Sequence, residues 1–372
     1  YEREVLGDLS SAEVLELLER KQAKSDSAPG PSGLAFSLIR ALVSPQRALR
    51  HLDALGELQP AGRDRDASSR EALVEHAAHG VLGVITALLN AYLRVGNTST
   101  HDKRTNILAL AKKSTSRSTA NVRPIALQEV TGKLLALALA RRAERVLLRE
   151  NLLEVSQRGF LANRRTGDCV AYVLCFLERA AALKLEASIL LLDFRGAFDS
   201  PSRAYLRKCY NAVGFPQRLQ DLLIAVNADT TASVYAAGAC SQPFPVERGV
   251  PQGSPLSPLL WVLALNPLLR LLRLRREEAA VDHASVRDLP ADGDHERGLS
   301  EACNATVDHA YADDLLLASV NGVRSLAETA TLTARWARNT QCISVATDAG
   351  KHVALLARPR GAAPQDDGQA SV

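Results

Sequence analysis

Methionine is missing from all 372 residues, and the chain opens on Tyr1. A complete reading frame begins with Met, so the expected origin is a segment excised from a longer polypeptide, or a relic of one. Six cysteines (Cys169, Cys175, Cys209, Cys240, Cys303, Cys342) lie far apart, with no two at the spacing of zinc knuckles or thioredoxin-type sites. A disulfide scaffold is thereby excluded, and buried, reduced thiols in an intracellular protein are expected. Long apolar runs are also lacking: Leu256 to Leu272 is broken by Ser257, Pro258, Asn266, Pro267 and Arg270, short of the ~18 uninterrupted residues of a spanning helix. Neither a membrane span nor a secretory signal is expected. With 47% apolar and 23% charged residues, 22 Gly and 16 Pro, the composition is that of an ordinary globular protein of two or three compact units.

Net charge is only +4, which by itself says nothing about nucleic acid. Its distribution says more. His101 to Glu150 carries eleven Lys and Arg against four acids, whereas Glu277 to Glu301 carries eight acids against two arginines. The first region suits a polyanion or a solvated helix face; the second should avoid a polyanion.

Periodicity predicts helices over Ser11 to Lys24, from Leu34, from Glu71 to about Leu93, from Glu129 to Arg149, from Thr166 to Leu185, from Ser254 to about Arg276, and around Trp336. Ile107 to Ala111 reads as a short strand delivering Lys112 and Lys113 to a loop, and Thr231 to Ala236 as another strand. Ala187 to Asp193 is a continuous apolar run of the kind buried strands use. Asp199, Ser200 and Pro201 read as a helix start. Gly249 to Gly253 forms a Gly/Pro loop, and 277–304 an acidic insertion loop. Thr306 to Val320 places two apolar runs around Ala312, Asp313 and Asp314, a hairpin with carboxylates at its tip. A strand from Lys351 to Leu356 and a loose tail from Gly361 close the chain.

The feature with chemistry in it is a strand-borne Asp193 and a hairpin-borne Asp313/Asp314 pair, 120 residues apart in sequence. Like charges brought together call for a compensating cation. Hard oxygen donors select Mg2+, held by one or two carboxylates plus substrate phosphates, and two such ions would clamp a displacement at phosphorus. Each element alone is ambiguous: Asp-Asp pairs are common in turns, and His76 and His79, three apart on a helix, lack a third ligand nearby.

Taken in order, the blocks resemble the reverse transcriptase domain of non-LTR (LINE-like) retrotransposons. They are Ala28-Pro-Gly-Pro-Ser-Gly-Leu34; Val122-Arg-Pro-Ile-Ala-Leu127 with Lys133; Gln157-Arg-Gly-Phe160 with Arg164, Arg165 and Thr166; Asp193-Phe-Arg-Gly-Ala-Phe-Asp199; Arg248 to Pro258; Tyr311-Ala-Asp-Asp314; and Trp336 with Lys351. The resemblance implies an α+β polymerase right hand: helical fingers over 1–185, a palm with a small antiparallel sheet over 186–358, and a thumb largely absent. It implies an RNA-directed DNA polymerase working on an RNA template, a DNA primer or target and dNTPs, with no membrane partner and a nuclear location.

By position, it implies that Asp193 and Asp313 bind two Mg2+ ions, Mn2+ being a substitute, with Asp314 in support. Tyr311 and Ala312 would lie against the primer end, and Phe198 would close off the space for a 2'-hydroxyl. Arg123 would contact the triphosphate, Gln252 and Gly253 the nucleotide sugar and template base, and Lys351 would protonate pyrophosphate. Lys112 and Lys113, with the rest of the basic block, would hold template backbone and triphosphate. Gly196 departs from the pattern, since many relatives carry Lys there. A group II intron or retron enzyme, and an idle nucleic-acid-binding remnant, remain as alternatives.

Overall fold

The structure is a computed structural model and describes residues 2–19, 28–55, 67–111, 122–236, 238–285, 306–320, 322–340, 344–345 and 353–357. Lys112, Lys113, Lys351, most of the acidic insertion and the tail lie outside the described residues. The chain packs as two compact units, 1–146 with 210–257, and 147–209 with 258–372. Helices and two small, largely antiparallel sheets build them, in the expected α+β class.

The first unit contains the helices α1 (Glu2–Leu6), α2 (Ser11–Glu19), α3 (Phe36–Val43), α4 (Pro45–Leu55) and α5 (Ala67–Val95). β1 (Arg104–Ala111) and β2 (Val122–Gln128) form an antiparallel hairpin, which α6 (Val130–Arg149) follows. Pro124 cannot donate to a ladder and is tolerated because β2 is an edge strand. The same unit holds α9 (Gln217–Ala225), β4 (Thr230–Ala236), β5 (Ala239–Cys240) and β6 (Phe244–Val246). β4 runs parallel to β1, so the predicted Thr231 strand belongs to this sheet. Asp102 anchors the start of α6: its carboxylate accepts from Gly132 N–H (3.1 Å), from Thr131 Oγ1 and from Tyr92 Oη. Burial and that carboxylate together push the Tyr92 phenol up.

The second unit contains α7 (Thr166–Ala182), β3 (Ala187–Arg195), α8 (Arg203–Ala212, whose last turn belongs to the first unit) and α10 (Ser257–Ser285). β7 (Thr306–Tyr311), β8 (Asp314–Ser319), α11 (Gly322–Asn339), β9 (Ser344–Val345) and β10 (Val353–Ala357) complete it. The sheet order is β10-β3-β8-β7, all antiparallel, with β9 also on β3. α7 covers one face through Phe176 and Ala180, packed on Ala187, Ile189 and Ala318. On the other face Phe194 meets Trp261 of α10 and Trp336 of α11, with ring centroids 5.9 and 6.3 Å apart.

Several expected boundaries move, each for a local reason. α8 starts at Arg203, because Asp199 is used in the turn after β3, where its N–H donates to Gly196 C=O (3.0 Å). Ser202 is the cap instead, its Oγ accepting from Tyr205 N–H (3.1 Å). α10 starts at Ser257, since Ser254 closes a turn onto Leu256 and Ser257. It then runs past Arg276 to Ser285: Glu277, Glu278, Ala279 and Ala280 are good helix formers, and Arg273 pairs with Glu277 one turn on (2.8 Å). The first part of the predicted insertion loop is therefore helix. Glu71–Val95 and Ser257–Glu277 are long and apolar enough to cross a membrane by length and composition, though the second is mostly buried inside the protein. Of the four described cysteines only Cys209 is buried, while Cys175 and Cys240 are exposed, against the expectation of buried thiols.

Much of the basic block is spent on the fold. Lys103 is buried, and its ammonium donates to the carbonyls of Ala225 and Ala228. Arg142, also buried, forks onto Glu13 (2.7 and 2.8 Å) and onto the backbone carbonyls of α1 and the residues after it. Arg141 pairs with Glu16 (2.7 Å). Lys133 is buried beside Glu129, and desolvation lowers its ammonium below the ordinary lysine value. These four side chains serve packing.

Candidate active site

In the second unit, strand register decides what meets. β3 and β8 place Asp193 directly opposite Asp314, and opposite residues in an antiparallel ladder carry their Cβ atoms about 4.5–5.5 Å apart on one face. By the two-residue period this is the face that carries Ile189, Leu191, Leu316 and Ala318. α7 covers Ile189 and Ala318, but the cover has thinned at Leu191, which is 36% exposed. Asp193 is accordingly half-buried and Asp314 exposed. Tyr311 pairs with Asp314 and closes a two-residue turn, Ala312-Asp313, which puts Asp313 at the apex. Ala312 stands at φ 59°, a left-handed conformation uncommon for a residue with a side chain.

Two sets of contacts hold that turn. Gln157-Arg-Gly-Phe160 runs beside β7: Ala310 N–H donates to Ser156 C=O (2.9 Å) and Arg158 N–H to Ala310 C=O (2.7 Å). The fully buried Gln157 accepts from Gly159 N–H through Oε1 (3.0 Å). Gly159 then lies flat on the turn, and a Cβ there would sit 2.0 Å from Ala312 N and 2.9 Å from its Cα. Trp261, wholly buried, donates its indole N–H to Ala312 C=O (2.8 Å). Its ring stacks on Phe198 (6.3 Å, 29°), and Phe160, at φ 61°, meets Phe198 edge-on (6.0 Å, 76°).

Gly159 stands in the Gln157-Arg-Gly-Phe160 block, whereas Trp261 lies outside every block of the resemblance. A tryptophan inside an apolar helix was the available signal, because a buried indole N–H needs an acceptor. Gly196, after β3, is at φ 56°, where glycine costs least.

In the first unit, the Gly249 to Gly253 loop packs on β2. Gln252 C=O accepts from Ala126 N–H (2.6 Å), and Gly253 at φ 120° would bring a Cβ within 2.7 Å of Ala126 C=O. Three residues away on the same strand, Arg123 is exposed. The 28–34 block docks where β2 ends: Ser32 N–H and Oγ both donate to Glu129 (2.8 and 2.5 Å), and a Cβ on Gly30 would meet the Gln128 carbonyl at 2.7 Å. His76 and His79 are exposed on α5, as expected of helix surface residues.

Beneath the turn, Asp308 is buried and pairs with Arg276; burial raises its carboxyl against that cation. His309, also buried, touches the Tyr172 ring (4.2 Å). Burial, with the Arg158 charge next in weight, pushes the His309 imidazole down to about 4. Between pH 6.5 and about 4 the unfolded chain binds a proton here that the folded chain refuses, so stability present above that window is lost as pH falls through it. His309→Gln removes this contribution. Urea midpoints taken stepwise should therefore fall less steeply over that window in the variant than in the parent chain.

A model of the reverse transcriptase (RNA-dependent DNA polymerase) family matches residues 110–346. The chain belongs to that family. Among curated proteins, the chain is 29% identical over 190 residues to the Pol polyprotein of the type-2 retrotransposable element R2DM of Drosophila melanogaster, covering 51% of the chain and 18% of the relative. It is 28% identical over 215 residues to the transposon TX1 149 kDa protein of Xenopus laevis, covering 58% and 15%. Both are products of non-LTR retrotransposons, the type whose motifs the sequence carries, and the chain spans less than a fifth of either. A similar solved structure is apo telomerase from Candida tropicalis, with a TM-score of 0.46 and 12% identity over 76% of this chain and 56% of that one.

Reverse transcriptases generally use divalent metal ions. Among the described residues no group of three or more His, Cys, Asp or Glu side chains gathers as a metal centre. The backbone does bring together a facing pair, Asp193 and Asp314, with Asp313 next to it at the turn apex. These are hard oxygen donors of the kind that bind Mg2+ jointly with substrate phosphates and water.

Proposed function

We propose that the chain is the catalytic part of an RNA-directed DNA polymerase that adds dNTPs to a primer 3'-hydroxyl on an RNA template. The observation that carries this reading is the Asp193–Asp314 register beneath the Tyr311-Ala-Asp-Asp314 turn. Asp193 and Asp313, supported by Asp314, would hold two Mg2+ ions, with Mn2+ as a substitute. When bound, such ions acidify the attacking hydroxyl and neutralise the leaving pyrophosphate. Residues 1–185 would act as fingers and 186–358 as palm.

The side chains then have separate tasks. Tyr311 and Ala312 position the primer end. Arg123, exposed on β2, offers a rigid guanidinium fork to the triphosphate. Gln252 and Gly253, in the loop held on β2, lie under the nucleotide sugar and the template base. Phe198 fills the volume a 2'-hydroxyl would need. Lys112 and Lys113 hold template backbone or triphosphate, and Lys351 delivers a proton to pyrophosphate.

Extension of a primer on an RNA template, with and without Mg2+, tests the proposal. Salt-sensitive binding with no product would instead identify a nucleic-acid-binding remnant. Arg123→Ala should raise the dNTP concentration for half-maximal rate about tenfold or more, as loss of a charge-assisted hydrogen bond predicts. Primer-template affinity, measured by fluorescence anisotropy, should change far less.

A further inference from the structure

Three aromatic rings form a chain that ends on the carbonyl of the Tyr311-Ala-Asp-Asp314 turn. Phe160 meets Phe198 edge-on at 6.0 Å, Phe198 stacks on Trp261 at 6.3 Å, and Trp261 donates to Ala312 C=O at 2.8 Å. Trp261 is completely buried and fixed at both ends of its ring, by the Ala312 carbonyl on one side and by Phe194 and Phe198 on the other. Phe160 is 44% exposed, an unfavourable place for a large apolar ring, and its backbone is held at φ 61°. Strain and exposure together mark a position kept for something other than the core. What that ring touches is Phe198.

We infer that Phe160 and Trp261 are positioning residues that set the Phe198 ring from two sides, so that discrimination between deoxy- and ribonucleotides belongs to all three rings. This rests on reading Phe198 as the side chain that occupies the 2'-hydroxyl volume. A ring clamped by a stack and an edge contact cannot swing aside to admit an extra oxygen. One whose edge support is removed can, at the cost of an aromatic contact that has already been lost.

The test is the ratio of kcat/KM for a dNTP to that for the matching rNTP in primer extension by the full chain. The same ratio is read without turnover from nucleotide affinities of the primer-template complex in Ca2+. Phe160→Ala should lower the ratio about three- to tenfold, the equivalent of one aromatic pair, with Phe160→Tyr restoring it. Trp261→Phe, which keeps a ring but loses the N–H, should lower it also and raise the primer-end KM through Ala312. Phe198→Val should lower it most, and adding Phe160→Ala to Phe198→Val should change nothing further, since the ring to be positioned is gone.

A general structural effect of Phe160→Ala would instead scale both nucleotides alike or add independently in the double variant, and either result overturns the inference. If Phe198→Val alters the ratio and neither Phe160→Ala nor Trp261→Phe does, the inference fails and the role of Phe198 stands. If Phe198→Val leaves the ratio unchanged, both fall.

Discussion

Asp193→Ala should reduce RNA-templated primer extension by about three orders of magnitude or more, the scale on which loss of transition-state charge stabilisation acts. The fold should survive the change. β3 is an interior strand, lying between β8 and β10 and pairing with β9 as well, and Asp193 is half-buried at the end of the apolar face. Removing its carboxylate leaves that register intact and takes away one side of the facing pair. The thermal midpoint should therefore change little while product disappears. Anisotropy of a labelled primer-template should stay within about threefold of the parent value, because backbone contacts by cationic side chains dominate affinity. Appreciable product from the variant, or binding lost in step with activity, would refute the metal-holding assignment.

Gly159→Val should also be damaging, although Gly159 bears no chemistry. A Cβ at this position would lie 2.0 Å from Ala312 N and 3.0 Å from Tyr311 C, contacts with backbone on which no flexible side chain can give way. Either the 156–160 segment lifts from β7, losing its hydrogen bonds to Ala310, or the turn shifts with Asp313. A displacement of about 1 Å in a positioned group can cost roughly a hundredfold in rate. Rate should thus fall about a hundredfold, with a stability loss of about 1–3 kcal/mol from strain. The informative comparison is between single-turnover rate and urea midpoint: rate must fall far more than the unfolded fraction explains. A Gly159→Val chain with a parental rate would show that the turn does not depend on this contact.

The hairpin at Asp313 and Asp314 was legible because apolar runs of strand length flank a polar tip, and Ala187 to Asp193 was legible as a buried strand for the same reason. The pairing between them was not. Register across 120 residues is set by how α7, α10 and α11 cover the two faces, which no local pattern records. Nor could the sequence show that Asp314, rather than Asp313, faces Asp193 across the ladder. Gly30, Gly159 and Gly253 stand in recognisable blocks, yet the reason for each, a backbone pressed against a second backbone, exists only in three dimensions. The helix start assigned to Asp199 failed because a left-handed Gly196 recruits that residue into a turn first.

The internal use of Lys103, Lys133 and Arg142 bears on how this chain would respond to its ionic surroundings. A cation already committed to a carbonyl or a carboxylate inside the protein displaces no sodium or potassium from a polynucleotide. Charge counted along the chain therefore overstates the number of phosphates this region can neutralise, and grip on template would weaken less with added salt than the tally of basic residues suggests.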